Sequence, residues 1–273
     1  MTLVAMGPVT KDLVIIGQEK SYKVGGATYY QSFVFEEFYP DYLVIVNCSD
    51  SDLTSEFPDS DKVNVILKDD THYFINRYPF DDNLNIREQL SNFANIPILK
   101  SDLEDILPEE IDGFVLNPLN RYDFPLETVE YLKSFEVPIF ISVQGFLRVG
   151  DVQVNGNYAI KLDRFDDLAS ILSGVDAIFL DESELNIIGD EFDVDEMVIT
   201  NGSHGSRIIS DGEIRIDAVK CDNVVDTTGC GDTYMAAYIS QKLLSKSIEN
   251  AGNFASAIAC DKIKNYGPYS IKK

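Results

Sequence analysis

The chain is written as an alternation. Short apolar runs recur at Leu3–Met6, Leu43–Asn47, Val63–Leu67, Gly113–Asn117, Pro138–Ser142, Ala177–Leu180 and Met197–Thr200, and stretches of helical period at Thr28–Glu37, Leu126–Ser134 and Glu182–Ile188 fall among them. Several runs are apolar on both faces, as strands covered by helices on both sides must be. Parallel neighbours need long crossovers, so the alternation predicts βα units and an α/β fold with a mainly parallel central sheet flanked by helices. Leu13–Val24 and His72–Arg77 break the rhythm with short, alternating β-like pieces that fit a small lid sheet. Arg207–Ser210 and Glu213–Ala218 flank Asp211-Gly212, a pair that predicts a tight hairpin because it tolerates positive φ at both positions. From Gly229 onward the pattern becomes long and helical. With no internal repeat and no linker rich in Pro, Gly or Ser, the sequence predicts one domain over residues 1–273, with a lid.

Charge narrows the function classes. The 22 basic and 46 acidic residues leave a net charge of −24 over 273 residues. Nucleic acid and anionic lipid are polyanions that require a basic face, so neither is an expected partner. No apolar run approaches the roughly 18 residues that span a bilayer. The opening residues Met1–Gly7 lack a basic stretch and read as a first strand, which predicts a cytoplasmic protein. Cys48, Cys221, Cys230 and Cys260 are scattered, without a C-x-x-C pair or a histidine at ligand spacing. The expectation is four thiols in a reducing compartment and no zinc site. His72 and His204 sit far apart, so a histidine-based triad has little to work with.

The chemistry concentrates at Val224-Val225-Asp226-Thr227-Thr228-Gly229-Cys230-Gly231-Asp232-Thr233-Tyr234. A small-residue turn, Gly229-Cys230-Gly231, opens a helix, where unpaired N–H groups and the helix dipole together make an anion hole. Asp232 is out of place beside an anion. As a lone residue it reads as a first-turn acid that stabilises the helix. Beside a phosphoryl group it becomes the second half of an apparatus for phosphoryl transfer to an alcohol: amides hold the phosphate, and the carboxylate receives the hydroxyl proton.

Asp226-Thr227-Thr228-Gly229-Cys230-Gly231-Asp232-Thr233 resembles the carboxyl-side signature of the PfkB (ribokinase-like) carbohydrate kinases, D-T-T-G-A-G-D-T-F, with Cys230 in place of Ala and Tyr234 in place of Phe. No G-x-x-x-x-G-K-[S/T] loop occurs. The resemblance extends along most of the chain. It implies a three-layer ribokinase-like fold and transfer of the ATP γ-phosphoryl group to a sugar, an inositol-like polyol or a nucleoside. It also implies roles. Asp232 is the base, with Gly229, Cys230 and Gly231 as the anion hole. Asp12, Gly25, Gly26 and Tyr30 contact substrate, Tyr30 standing where ribokinase-type members carry Asn. Ser142-Val143-Gln144-Gly145-Phe146-Leu147-Arg148 matches a D-x-Q-G-x-x-R segment with Ser142 in place of the acid. Arg148 is open to two readings, contact with substrate or phosphate and a surface ion pair.

Asp181-Glu182-Ser183-Glu184 resembles the N-x-x-E motif, so Glu184 would handle Mg²⁺ through water while Asp181 replaces Asn; taken alone, two acids at a helix start are caps. Thr200-Asn201-Gly202-Ser203-His204-Gly205 resembles the T-x-G-x-x-G nucleotide loop, which assigns Thr200, Gly202, Ser203 and Gly205 to ATP. The segment from Asn253 and Ser256 through Lys262 to Gly267 resembles the helix lining the adenine pocket. Asp226 and Thr228 would border a monovalent cation (K⁺) site, as in some relatives, and the lid would pair subunits into a homodimer. The departures at Tyr30, Ser142 and Asp181 leave a second reading, a kinase-like protein that binds nucleotide or polyol without turnover.

Overall fold

The computed structural model describes residues 1–78 and 88–270. Its strands in chain order are β1 (Thr2–Met6), β2 (Thr10–Ile16), β3 (Glu19–Gly25), β4 (Tyr42–Cys48), β5 (Val63–Leu67), β6 (Phe74–Tyr78), β7 (Glu88–Ser91), β8 (Ile111–Leu116), β9 (Ile139–Ser142), β10 (Arg148–Val154), β11 (Asn157–Leu162), β12 (Val175–Asp181), β13 (Val194–Thr200), β14 (Ser206–Ile209) and β15 (Glu213–Ile216). The helices are α1 (Ala27–Phe38), α2 (Lys100–Leu103), α3 (Leu126–Lys133), α4 (Gln144–Leu147), α5 (Leu168–Leu172), α6 (Glu182–Ile188), α7 (Cys230–Leu243) and α8 (Ile248–Lys262).

Nine strands form the main sheet in the order β15-β14-β13-β12-β9-β8-β1-β4-β5. From β5 to β13 the neighbours are parallel, and β14 and β15 turn back antiparallel at one edge. The two-residue period of a strand explains the layers. On β1, Leu3 and Ala5 join a core with Phe35 of α1, Tyr238 and Ile239 of α7 and Ala255 of α8. Val4 and Met6 point the other way, onto Val129 and Leu132 of α3, Ile171 of α5 and Leu185 of α6. Helices therefore cover both faces, and the predicted α/β fold is the observed one.

The second sheet has six strands in the order β10-β11-β7-β6-β2-β3. Leu13–Val24 splits into β2 and β3, and His72 makes only a single bridge to Thr10 ahead of β6. Half of this sheet escapes the sequence reading, although one signal for it was present. Asn155 and Gly156 both take positive φ, 51° and 85°, and join β10 to β11 in a two-residue turn. That geometry was expected at Asp211-Gly212. There the hairpin forms over a three-residue connection, Ile209 pairing with Glu213, and neither residue has positive φ. The extra residue relieves the turn of the twist that a two-residue loop must supply.

The cysteines also differ from expectation. Cys221 and Cys260 form a disulfide with Cα atoms 5.9 Å apart, while Cys48 and Cys230 are free. A separation of 39 residues leaves no local pattern to read; the bond exists because the segment after β15 runs along α8. It removes one observation on which a reducing location rested. Among the described residues, no helix is long and apolar enough to cross a membrane.

Candidate active site

The parallel strands end on one side, and the nominated residues leave from those ends. β1 runs into Gly7, β9 ends at Ser142, β12 at Asp181 and β13 at Thr200, the last two paired in register. The carboxyl ends of such strands are where open α/β sheets hold ligands.

α7 begins at this end. Its N-cap is Gly229, in the left-handed region at φ 73° and ψ 9°, and a Cβ there would lie 2.3 Å from the Tyr30 ring. Only glycine meets both demands. The Cys230 amide donates to the Thr227 carbonyl at 3.1 Å, and the first full helical bond runs from Thr233 to Gly229 at 2.9 Å. The anion hole is therefore smaller than the sequence implies. Cys230 N–H is spent, and the amides of Gly231 and Asp232, at the second and third helical positions, are the ones that helix geometry leaves unpaired.

Asp232 is half-buried, and its carboxylate makes no hydrogen bond among the described residues. Burial pushes its pKa up to about 6, with the charges of Arg148 and Lys262 pulling the other way. Arg148 opens β10, sits 5.2 Å from the Phe74 ring centroid, and its charge bears on Asp12, Glu184 and Asp232 together.

Asp12, on β2, is buried, and its Oδ1 accepts the Phe74 amide at 3.1 Å. Burial raises its pKa, opposed by that amide and by the charges of Lys23 and Arg148. Its Oδ2 would lie 2.8 Å from a Cβ at Gly25, so the carboxylate occupies the room that Gly25 leaves. Gly26 caps α1. Tyr30 is buried edge-on to Tyr29, and burial followed by the charges of Asp226, Asp12 and Asp232 raises its pKa. One phenol thus senses Asp12 together with Asp226 and Asp232, which lie more than 200 residues further along the chain.

Glu184 is placed differently. Asp181 Oδ1 accepts the amides of Ser183 (2.8 Å) and Glu184 (2.9 Å), and Glu184 Oε2 accepts the Asp181 amide at 2.8 Å, closing a capping box. Glu184 is 3% exposed, and burial, then the Asp181 charge, pushes its pKa up to about 7 against the Asp181 amide, Arg148 and Gln144. The helix-cap reading of these acids is thus fulfilled, without removing Glu184 from the neighbourhood of Arg148.

The expected nucleotide residues form a separate rim. Gly202–His204 is one turn of exposed 3₁₀ helix between half-buried Thr200 and Gly205. The next residue, Ser206, binds the Tyr234 hydroxyl at 2.7 Å, which gives that phenol a partner that Phe would not need. Asn253 is exposed. Ser256 is buried, its Oγ donating to Asp217 O (3.0 Å) and accepting from Val219 N (3.1 Å). Its hydrogen-bonding capacity is turned toward that strap.

Sequence reasoning placed Lys262 on a nucleotide-lining helix and missed its setting. The side chain is fully buried, its Nζ donating to the Asp226 carbonyl at 2.8 Å and lying 3.7 Å from Asp226 Oδ2. The Asp226 carboxylate accepts the amides of Thr228 (2.9 Å) and Gly267 (3.2 Å). Burial opposes the Asp226 charge, yet these amides and the ammonium hold its carboxyl below the ordinary range. A lysine closing a helix rich in small residues, from Ala251 and Gly252 to Ala259, was the available signal. The expected K⁺ site does not fit here, because an ammonium already holds the Asp226 carbonyl beside its carboxylate. Among the described residues, no group of three or more His, Cys, Asp or Glu side chains could hold a metal ion.

Residues 147–273 match the model of the pfkB family carbohydrate kinases. A nucleoside kinase of Methanocaldococcus jannaschii is 27% identical over 156 residues, covering 48% of this chain and 52% of its own, so the match spans about half of that relative. Among solved structures, a pyrophosphate-dependent kinase of the ribokinase family, complexed with a pyrophosphate analog and myo-inositol, aligns with TM-score 0.81 at 22% identity over 98% of this chain and 97% of its own. Arabidopsis thaliana ribokinase complexed with ribose and ATP aligns with TM-score 0.72 at 17% identity, over 97% and 93%. Residues 147–273 are thus similar to the pfkB family of carbohydrate kinases, and the fold follows ribokinase-family structures along nearly its whole length.

Proposed function

We propose that the protein is a kinase that transfers the γ-phosphoryl group of ATP to a hydroxyl of a sugar, an inositol-like polyol or a nucleoside, residues 1–273 acting as one kinase domain. The observation that carries this is Asp232. A carboxylate without a hydrogen-bond partner among the described residues, beside the free amides that open α7, is costly unless a ligand meets it. The acceptor hydroxyl gives its proton to Asp232 as its oxygen bonds to the γ-phosphorus. The bond from that phosphorus to the β-bridging oxygen breaks, and ADP departs. The Gly231 and Asp232 amides take the charge that builds on the transferring oxygens. With a pKa near 6, Asp232 is ionised and competent at neutral pH.

Asp12, Tyr30 and Arg148 would orient the acceptor, and the Tyr29–Tyr30 pair suits a ring better than an open chain. Mg²⁺ accepts oxygen ligands and keeps waters, so a lone carboxylate fits it only through water, with the phosphates as main ligands. Glu184 would serve in that way, and the cation would supply charge neutralisation between phosphates. Thr200, Gly202, Ser203 and Gly205 would line the nucleotide side. Exposed Ile16, Tyr22, Val152 and Val154 on the smaller sheet support pairing of subunits through it.

A second reading concerns the donor. Ser256, expected beside adenine, bonds to the strap of residues 217–219, and a fold relative is pyrophosphate-dependent. Inorganic pyrophosphate would need only the phosphate half of the site. The test is a matrix of acceptors (ribose, other pentoses, hexoses, myo-inositol, nucleosides) against ATP and pyrophosphate with Mg²⁺, following ADP or phosphate release. Transfer from ATP supports the first reading, and transfer from pyrophosphate alone supports the second. Tight binding of polyol or nucleoside with no transfer from either donor would overturn both in favour of a non-catalytic binding protein.

A further inference from the structure

Lys262 is 1% exposed as a residue, and neither the base nor the amides of the proposed mechanism accounts for it. An ammonium taken wholly out of water is expensive unless neighbouring groups compensate it. Two do so directly, the Asp226 carbonyl at 2.8 Å and the Asp226 carboxylate at 3.7 Å, and the Tyr30 ring lies 5.8 Å away, centroid to Nζ. Asp226 in turn holds the Thr228 amide, and Thr227 holds the Cys230 amide. The backbone of Val225 and Asp226 also donates to the Ile263 carbonyl at the end of α8, at 2.7 and 3.1 Å. The whole turn from 225 to 230 is thus pinned to the last turn of α8, with one positive charge at the joint. That charge also acts on Cys230 and Asp232, the residues that flank the free Gly231 amide.

We propose that Lys262 is a positioning residue, a tethered cation that sets the Asp226–Gly229 turn and does the work a bound monovalent ion would otherwise do, so that phosphoryl transfer by this protein needs no K⁺. This rests on the kinase reading above, and it makes one chemical demand of its own: removing the ammonium should create a hole for a free cation. A backbone carbonyl, a carboxylate and a ring face remain once the Nζ is gone, and these are groups that accept a large monovalent ion.

The experiment uses the full chain and three proteins: the native protein, Lys262→Met, which removes charge and donor, and Lys262→Gln, which keeps a donor without charge. Rates are compared in tetramethylammonium, K⁺ and NH₄⁺ buffers, with thermal melts as a control for folding. The native rate is expected to change less than about twofold among the salts. Both variants are expected to fall at least tenfold in tetramethylammonium and to recover in a saturable way with K⁺ or NH₄⁺. A native enzyme activated tenfold by K⁺, a Gln variant at the native rate, or folded variants that no cation restores would each overturn the proposal. A second readout needs no turnover. Crystals soaked in Tl⁺ should show anomalous density beside Asp226 in Lys262→Met and none there in the native protein. Density in the native protein, or none in the variant, would overturn the inference even if no acceptor is ever phosphorylated, and loss of all transfer with the expected Tl⁺ pattern would sink the kinase reading alone.

Discussion

Two helices in this molecule start with an acid at the same position, and the two acids meet opposite fates. Glu184 is the third residue of α6 and Asp232 the third of α7. Behind Glu184 stands Asp181, whose side chain caps the helix while its own amide is taken by the glutamate. Behind Asp232 stands Gly229, which has no side chain to cap with and a left-handed backbone. The box closes on α6 and cannot close on α7. One carboxylate has an oxygen engaged in a helix cap, and the other makes no hydrogen bond among the described residues. The lesson concerns the cap's backbone as well as its side chain: on α2, Asp102 at the same position accepts the amide of its N-cap Leu99, which has no side chain to cap with, whereas no such bond joins Asp232 to Gly229 among the described residues.

The sharpest way to break the contrast is Asp232→Asn. Phosphoryl transfer should fall by roughly 10²–10⁴, the usual contribution of a general base, in a protein that still folds. The same change should stabilise the fold above pH 6. The folded carboxyl has its pKa raised to about 6 from 3.8, so its ionisation costs stability that is absent below the unfolded value and fully felt above the folded one. The gain on removing it, read by urea denaturation at pH 8, should be on the order of 1–3 kcal/mol and should vanish near pH 3.5. The native rate should decline as pH drops through about 6. A rate flat from pH 5 to 8 would deny Asp232 the role.

Next in size is Gly229→Ala. A methyl group placed 2.3 Å from the Tyr30 ring, at φ 73°, must displace either the ring or the turn. The left-handed backbone alone costs a non-glycine residue roughly 1–2 kcal/mol, and transfer should fall at least tenfold as the Gly231 amide moves. Native kinetics in this variant would show that the turn is not the phosphate site.

On α6 the expected pattern is reversed. Asp181→Ala should cost about 0.5–2 kcal/mol in denaturation, the value of a lost cap, with a smaller effect on rate than either change at α7. The mildest effect is expected for Glu184→Gln. Glutamine still closes the box, so stability should stay within about 0.5 kcal/mol, while the Mg²⁺ concentration for half-maximal rate should rise several-fold. A Gln variant with an unchanged Mg²⁺ response would leave Glu184 as a cap only.

What could be read in the chain follows a physical rule. The main sheet and its helices were legible at Leu3–Met6 or Glu182–Ile188 because periodicity is local and burial on both faces leaves a strong imprint. The smaller sheet was half legible, since β7 has only four residues and β10 is largely exposed, so neither leaves a strong apolar imprint, and only Asn155-Gly156 marked the β10–β11 pair. The signature around Gly229 and Asp232 was legible because glycine spacing and an acid at a helix start are local as well. The disulfide, the use of Cys230 N–H by Thr227, and the position of Arg148 among Asp12, Glu184 and Asp232 were not.

By itself, then, the sequence determined the layered α/β class and marked the start of α7, with Asp232, as the candidate site. Tertiary structure alone decided the pairing of Cys221 with Cys260, the gathering of Asp12, Glu184 and Asp232 around the Arg148 charge, and where the buried ammonium of Lys262 goes. Periodicity and turn chemistry are properties of neighbours in the chain. Desolvation and charge compensation are properties of neighbours in space, and Asp226 and Lys262 become partners only when α8 folds back against the turn.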